Sequence, residues 1–412
     1  MIVAGPVLPP ASPIIACEPH AKWRCTVHYC FSGQSSVQSS FPGIREPSWF
    51  DPDPGIPDSQ RREENSRIIS VYLMPTTMKD IARDLGVSVV TVSKVLRNHS
   101  DISAETRKRV LRRVKELNYY PNPAARTLLT GRTNLIGLIV PDLVHPFFSQ
   151  VAKGITSRLR SRDYSLIISS SEDDPKLEGR EIDQMLARRV DVLILASTES
   201  DGQVLKKIRD HGTPYVLLDR KMPGTVAHFV GIDDVSAGVL ATSHLIDVGC
   251  KRIAHISGSK VSTALDRQVG YSTTLAKHGL NLPADYIVEQ RHMDDSGDAA
   301  GYKGMKQLLR LNLPPDGVFC GNDPIAMGAM RAIFEEGLQI PKDVAVVGCG
   351  NLHYDDLLRV PLTSVDQDST GLGESAAKLA LRIVKRKPGI AAQTILLNPK
   401  LIVRASSQRT TT

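Results

Sequence analysis

Two parts are legible in this sequence: an all-α helix-turn-helix module, then an α/β core of two doubly wound, parallel-sheet lobes. Three observations lead there. Two short helical stretches after Thr76 each open on a capping residue and are separated by the turn Gly86-Val87-Ser88. From Asn134 onward, short apolar strands alternate with amphipathic stretches, the pattern of parallel sheets covered on both faces. That pattern runs for about 270 residues, too many for one small doubly wound sheet, so two stacked lobes are expected.

Thr77 with Asp80 three residues on forms a capping-box variant at the start of the module, and Ile81 and Leu85 face inward. Gly86 supplies the left-handed exit that a tight turn requires. Ser88 caps a second helix over Val89–Arg97, with Val92, Val95 and Leu96 turned to the core. Ser103 caps a third, whose Val110, Leu111, Val114 and Leu117 are expected to complete a three-helix core. Arg107, Lys108, Arg109, Arg112, Arg113 and Lys115 coat that helix. From Pro75 to Arg132 there are 12 Lys/Arg against 5 Asp/Glu, a surplus equal to the +7 of the whole chain, leaving 39 of each elsewhere. A surplus confined to one small helical module points to a polyanionic partner, and nucleic acid fits best.

In the core, strands are expected at Leu135–Pro141, Ser165–Ser170, Val192–Ser197, Tyr215–Asp219 and Phe229–Ile232. The series continues with Arg252–Ser257, Tyr286–Glu289, Val318–Cys320, Val344–Gly348 and Leu362–Val365. Helical stretches include Pro146–Ser161, Glu178–Arg189 and Pro324–Glu336. No GxGxxG opens a helix after a strand and no GxxxxGK[ST] occurs, so neither dinucleotide nor P-loop chemistry is indicated. Neither a GxSxG elbow nor an HExxH is present, and His244 and His255 read as packed histidines, so no enzyme is expected.

Residues 1–74 differ from the rest. They hold both tryptophans and half of the cysteines, are dense in proline from Pro42 to Pro57, and show no sustained period. They are expected to be a disordered arm, or upstream sequence translated ahead of a start at Met74 or Met78. Cys17, His20, Cys25, His28 and Cys30 lie there, but their spacing matches no zinc module, so no metal or cofactor is expected. The six cysteines form no CxxC pair, and Cys250, Cys320 and Cys349 sit in strand-like contexts where buried thiols are common. The longest apolar runs, such as Leu135–Val140, are too short to span a bilayer. A cytoplasmic, nucleoid-associated protein without a membrane partner is expected.

Residues Thr76 to Ser406 resemble the lactose/galactose repressor (LacI/GalR) family of bacterial transcription regulators. The stretches that carry the resemblance are TTMKDIARDLGVSVVTVSKVL, YPNPAARTLLTGRTNLIGLIVPD, HPFFSQVAKGI, GNDPIAMGAMRAI and PLTSVDQ. It implies a helix-turn-helix DNA-binding domain over residues 75–121, a hinge helix and linker over 122–132, and a periplasmic-binding-protein-like core over 133–412. The core would bind an effector and form the homodimer.

In such a motif the second helix enters the major groove and its first residues meet base edges. That places Val89, Val90 and Lys94 at the bases, with Thr91 and Ser93 near phosphates or base edges; Thr77, Ser88 and Asn98 complete the set. Two valines can touch thymine methyls but make no bidentate hydrogen bonds, so specificity leans on Lys94, methyl contacts and DNA shape. The resemblance implies that Asn122 caps the hinge helix, Ala125 faces the minor groove and Leu128 wedges between central base pairs, with Arg126 beside them. A two-fold palindromic operator is expected. The C-terminal stretch from Leu401 carries no leucine heptads, so a dimer rather than a coiled-coil tetramer is expected.

In open α/β sheets, ligands sit beyond the carboxyl ends of the strands. Asp219, Arg220, Asn322 and Asp323 end strands, Arg267 matches the family's effector arginine, and Phe147 and Phe148 stand where the family stacks an aromatic on its ligand. Carboxylates and an arginine around an aromatic face suit a sugar or sugar derivative. Many relatives have Gly-Phe-Asp-Asp where this chain has Gly348-Cys349-Gly350-Asn351, which alters the rim of the cleft. A periplasmic-type sugar-binding protein with no role on DNA is the alternative reading.

Overall fold

In this computed structural model the described residues are 14–16, 26–28, 76–121, 127, 130–198, 202–258, 260–281, 283–289, 297–385 and 391–409. They divide into two compact units, Met1–Tyr120 and Pro121–Thr412. Ahead of the helical module, β1 (Ile14–Ala16) pairs antiparallel with β2 (Thr26–His28).

Three helices build the module: α1 (Met78–Leu85), α2 (Val89–Leu96) and α3 (Ala104–Glu116). Each begins on a side-chain cap. Thr77 and Asp80 form a reciprocal capping box, Ser88 Oγ accepts from Thr91 N at 3.0 Å, and Ser103 Oγ accepts from Thr106 N at 3.2 Å. Gly86 closes α1 at φ 65°, the left-handed conformation that turns the chain into α2. Ile81, Val92, Val95 and Val110 are fully or almost fully buried, each contributing roughly 1.5–3 kcal/mol of transfer free energy. Tyr119 closes this core. Leu111 does not join it: at 46 % exposure it sits on the outer face, because the inward face follows Val110, Val114 and Leu117 at helical spacing.

The second unit holds two six-stranded sheets. The N-lobe sheet contains β3 (Leu135–Val140), β4 (Ser165–Ser170), β5 (Val192–Leu195), β6 (Tyr215–Leu218), β7 (His228–Ile232) and β13 (Thr394–Leu397), in the order β13-β7-β6-β5-β3-β4, all parallel. The C-lobe sheet contains β8 (Ile253–Ile256), β9 (Ile287–Val288), β10 (Gly317–Cys320), β11 (Ala345–Gly350), β12 (Thr363–Asp366) and β14 (Lys400–Ile402), in the order β14-β12-β11-β10-β8-β9. Only β14 runs antiparallel to its neighbour in this sheet. β13 and β14 escape the sequence reading, since both are short, partly exposed edge strands without a clean apolar run.

Helices cover the sheets: α4 (Pro146–Leu159), α5 (Pro175–Ala187) and α6 (Gln203–Asp210) follow N-lobe strands, and α7 (Asp234–Asp247), α8 (Ser262–Lys277), α9 (Gly297–Leu309) and α10 (Asp323–Glu335) belong to the C-lobe. α11 (Ser369–Lys385) returns to the N-lobe and packs along α4. The chain thus crosses between lobes after β7, after β12 and between β13 and β14. Short segments join the lobes, and one buried apolar cluster runs from Ile136 and Val216 in the N-lobe to Phe319 and Val347 in the C-lobe. His255 is buried, stacked on Phe319 and bonded through Nδ1 to its carbonyl oxygen at 2.9 Å; His244 bonds Ser407 Oγ at 2.7 Å. Cys250, Cys320 and Cys349 are free and buried. Among the described residues no helix is long and apolar enough to cross a membrane.

Candidate functional site

The strand ends of the two lobes converge on a cavity of about 250 Å³. After β3, Asp142 Oδ1 accepts from Val144 N at 2.7 Å, and His145 caps α4 by accepting from Phe147 N through Nδ1. Burial holds the imidazole down to about 4, so the ring is neutral and presents Nε2–H. Phe147 and Phe148 follow, buried and edge to face with centroids 5.0 Å apart, and both line the cavity. After β4 come Glu172 and Asp173, and after β6 come Asp219 and Arg220. Arg220 pairs with Asp173 at 2.6 Å rather than with its neighbour Asp219.

Arg267 is the central cation. Although on a helix, it is buried, and its guanidinium is fixed by three groups. Nε donates to Asp234 Oδ1 at 2.8 Å, Nη1 to the Gly321 carbonyl at 2.6 Å and Nη2 to Gln367 Oε1 at 3.0 Å. Nη2 also lies 2.8 Å from Asp234 Oδ1, so the second Nη1–H is the donor left for a ligand. Burial pushes the Asp234 carboxyl up to about 7 against the pull of Arg267. Asp219 is buried at a left-handed φ of 63°, and no protein donor reaches its carboxylate among the described residues. Its pKa is raised by burial in spite of the Arg267 and Arg220 guanidiniums. Asn322 spends Oδ1 on capping α10, accepting from Ile325 N at 2.9 Å, which leaves its amide NH₂ at the cavity wall.

Six of the seven residues expected at the cleft therefore line one cavity: Phe147, Phe148, Asp219, Arg220, Arg267 and Asn322. Asp323 does not. It is fully buried behind the wall, where Oδ1 accepts from Ser364 Oγ at 2.6 Å and Oδ2 from Leu352 N at 3.2 Å. A Cβ on Gly348 would lie 2.2 Å from Oδ1 and one on Gly350 2.5 Å from Oδ2, so the two glycines make room for this carboxylate. Of the other two rim positions, Cys349 is buried and Asn351 Oδ1 accepts from Arg404 Nη2 at 2.7 Å. Sequence reasoning missed Asp142, His145, Glu172, Asp173 and Gln367, although four of them follow β3, β4 or β12 directly and the strand-end rule could have found them.

The module offers a second surface. Val89 and Val90 at the start of α2 are 37 % and 61 % exposed, an unusual pair of open valines on a folded helix. The polar residues around them are engaged locally. Thr77 and Ser88 cap their helices, Thr91 Oγ1 lies 2.9 Å from Ser88 Oγ, and Ser93 Oγ accepts from Arg97 Nη2 at 2.8 Å. Lys94 forms an ion pair with Asp101, and Asn98, at φ 58°, accepts from Arg107. Not all of the α3 cations are free, either: Arg109 donates to the Leu85 carbonyl at 3.1 Å and Arg113 holds Asp84 at 2.6 Å, tying α3 to α1. Asn122, Ala125, Arg126 and Leu128 lie outside the described residues.

Known proteins share both parts. Residues 77–122 match the pattern of bacterial regulatory proteins of the lacI family, and residues 242–407 match a periplasmic binding protein-like domain. The ribose operon repressor of Escherichia coli (strain K12) is 33 % identical over 80 % of this chain and 99 % of its own length. The HTH-type transcriptional regulator RegA of Clostridium saccharobutylicum is 31 % identical over 81 % of this chain and 100 % of its own. Among solved structures, the Lac repressor dimer bound to operator and the anti-inducer ONPF superimposes with a TM-score of 0.71 at 26 % identity, covering 82 % of this chain and 100 % of that one. The complex of the transcriptional regulator CelR with cellobiose gives 0.61 at 27 % identity, covering 80 % and 99 %. A helix-turn-helix module joined to a two-lobed ligand-binding core defines a DNA-binding transcriptional repressor with a small-molecule effector. The chain belongs to the lacI family of bacterial regulatory proteins.

Proposed function

We propose that this repressor binds a two-fold palindromic operator as a homodimer in the cytoplasm, at the nucleoid, and that a neutral, polyhydroxylated carbohydrate in the cleft switches it. One observation carries the ligand class: the buried Asp219 carboxylate has no protein donor among the described residues and stands near an immobilised Arg267. A sugar hydroxyl donates to the first and accepts from the second, with charge-assisted strength on both sides. Among the described residues, four carboxylates line the cavity (Asp142, Glu172, Asp173 and Asp219) against two guanidiniums. That balance disfavours a phosphorylated ligand, and the Phe147–Phe148 pair supplies the apolar face against which a sugar ring stacks.

Residues 122–132 act in this reading as hinge helix and linker between the 75–121 module and the 133–412 core, with Leu128 as the wedge. The effector works only through its different affinity for two lobe arrangements, which bias the hinge. No turnover is assigned to the site. The alternative, a sugar-binding protein with no role on DNA, leaves the exposed Val89–Val90 pair and the charge of the module without a use.

The test is a thermal-shift screen of the full chain against neutral pentoses and hexoses, sugar phosphates and nucleobases. A bound ligand raises apparent stability by mass action, about 2.7 kcal/mol at one hundred times Kd. A neutral sugar should give the shift and Asp219→Asn should abolish it. A shift from sugar phosphates or nucleobases alone would overturn the ligand class. For the wedge, Leu128→Ala should weaken operator binding far more than non-specific binding, and equal losses on both DNAs would remove that assignment.

A further inference from the structure

The N-lobe carries a group of cations that neither the cleft nor the helical module uses. α4 follows β3 and runs back along the N-lobe sheet, while α11 enters from the C-lobe strand β12 and packs along α4 and against β5, β6 and β7. Their ends bring Arg158 and Arg162 together with Lys378, Arg382 and Lys385 around a cavity of about 260 Å³ completed by Leu381. No carboxylate among the described residues lines it. Asp163 and Glu374 are neighbours in sequence, yet neither reaches the wall. Arg158, Arg162, Lys378 and Lys385 are exposed and form no ion pair among the described residues. Arg382 is half-buried: Nη2 holds Gln393 Oε1, and its buried Nε has no acceptor.

Helix carboxyl termini favour cations, but that preference is satisfied by one or two residues and does not require five without a counter-charge. The setting is also particular. Outside Pro75–Arg132 the chain has equal numbers of acidic and basic residues, so this excess stands on a balanced background. Arg132, the last linker residue, donates to the Val384 carbonyl at 2.8 Å, next to Lys385. The cations thus border the place where the linker enters the core.

We propose that this face binds the phosphate backbone of the same duplex that the helix-turn-helix module reads. The inference rests on the DNA-binding reading of that module. Phosphates repeat along a duplex at a spacing that a cluster of long, flexible cations can follow, and each cation seated on a phosphate releases condensed counterions. Such interactions position the protein on DNA and carry no sequence information.

The experiment uses the full chain with Arg158→Gln, Arg162→Gln, Lys378→Gln and Lys385→Gln combined, leaving Arg382 in place. A long random-sequence duplex is titrated over a salt series. Every cation withdrawn from a phosphate should reduce the slope of log K against log salt by about 0.9, so a reduction of roughly 2–4 is expected. If the fourfold variant loses its folded signal, Arg158→Gln with Lys378→Gln should show roughly half that change. An unchanged slope overturns the proposal. The comparator is Lys108→Gln with Lys115→Gln in the module. If only the comparator lowers the slope, DNA binding by the core face alone is refuted; if neither does, the DNA reading of the module fails as well. Stabilisation by pyrophosphate that disappears in the fourfold variant, with an unchanged slope, would assign the cluster to a small polyanion and likewise overturn the proposal.

Discussion

Arg267 is held at the wall of the cavity between the strand ends by Asp234, a buried residue on the neighbouring helix whose Oδ1 lies 2.8 Å from the Arg267 Nε. The two helices meet through glycines. A Cβ on Gly238 would lie 2.2 Å from the Arg267 carbonyl oxygen and one on Gly270 2.1 Å from that of Val235, so α7 and α8 touch backbone to backbone. This approach sets the reach between the carboxylate and the guanidinium.

Asp234→Asn should therefore leave a buried guanidinium without its counter-charge. Breaking a buried pair from one side costs about 3–5 kcal/mol. Effector affinity should fall at least tenfold, because the remaining partners Gln367 and Gly321 no longer fix the orientation of Arg267. Calorimetric titration and urea melts measure both; wild-type affinity in a folded variant would show that Asp234 does not position Arg267.

Gly270→Ala tests the same relationship without touching a charge. The added methyl cannot be accommodated beside backbone atoms, so the helices must part or shift, at a cost of about 1–3 kcal/mol. The expected result is a lowered Tm together with weaker effector binding. A lowered Tm with unaltered affinity would separate the packing of α7 on α8 from the cleft.

Stability should depend on pH through Asp355. It is fully buried against the Asp323 carboxylate, and burial with that facing carboxylate raises it to about 8. Its unfolded value is about 3.9, so the folded state binds more protons between these limits and stability declines as pH rises through them. His145 and His255, both lowered to about 4 by burial, act in the opposite sense but only below about 6.5. From pH 6.5 to 8 Asp355 alone should cost about 2 kcal/mol, with Asp234, raised to about 7, adding to the decline in the lower part of that range. Asp355→Asn should remove the larger part. Urea melts across the range decide it: an identical decline in the variant would exclude Asp355 as the source.

On the module, Asp101→Asn should release Lys94 to the DNA. The present ion pair is exposed and weak, so little stability is lost. Binding to duplex should tighten several-fold at low salt, with the salt dependence steeper by up to about 0.9. Mobility shifts over a salt series provide the measurement; weaker binding would mean that Asp101 holds Lys94 in its reading position.

Most of the secondary structure was legible in the sequence because it is encoded locally. Thr77, Ser88 and Ser103 announce three helix starts, and the ten expected strands lie within a residue or two of their observed limits. The misses have physical causes. Leu111 obeys a broad apolar face but falls one position outside the buried stripe, and β13 and β14 are edge strands whose pairing supplies what their composition lacks. At the cleft, the strand-end rule locates residues without giving side-chain direction. Asp323 ends a strand as Asp219 does, yet it turns into the wall where Gly348 and Gly350 leave space.

The sequence by itself determined the two-part architecture, the second helix of the module with its pair of valines and the strand ends from which a cleft is built. These follow from caps, turns and periodicities that act within a few residues. Only the tertiary structure decided that Arg220 pairs with Asp173, that Asp234, Gln367 and Gly321 fix Arg267, and that the ends of α4 and α11 gather five cations around one cavity. Each of those relationships joins segments far apart in the chain. The interlobe crossings and the close helix packing bring them together, and no local pattern records which distant polar group will be within reach.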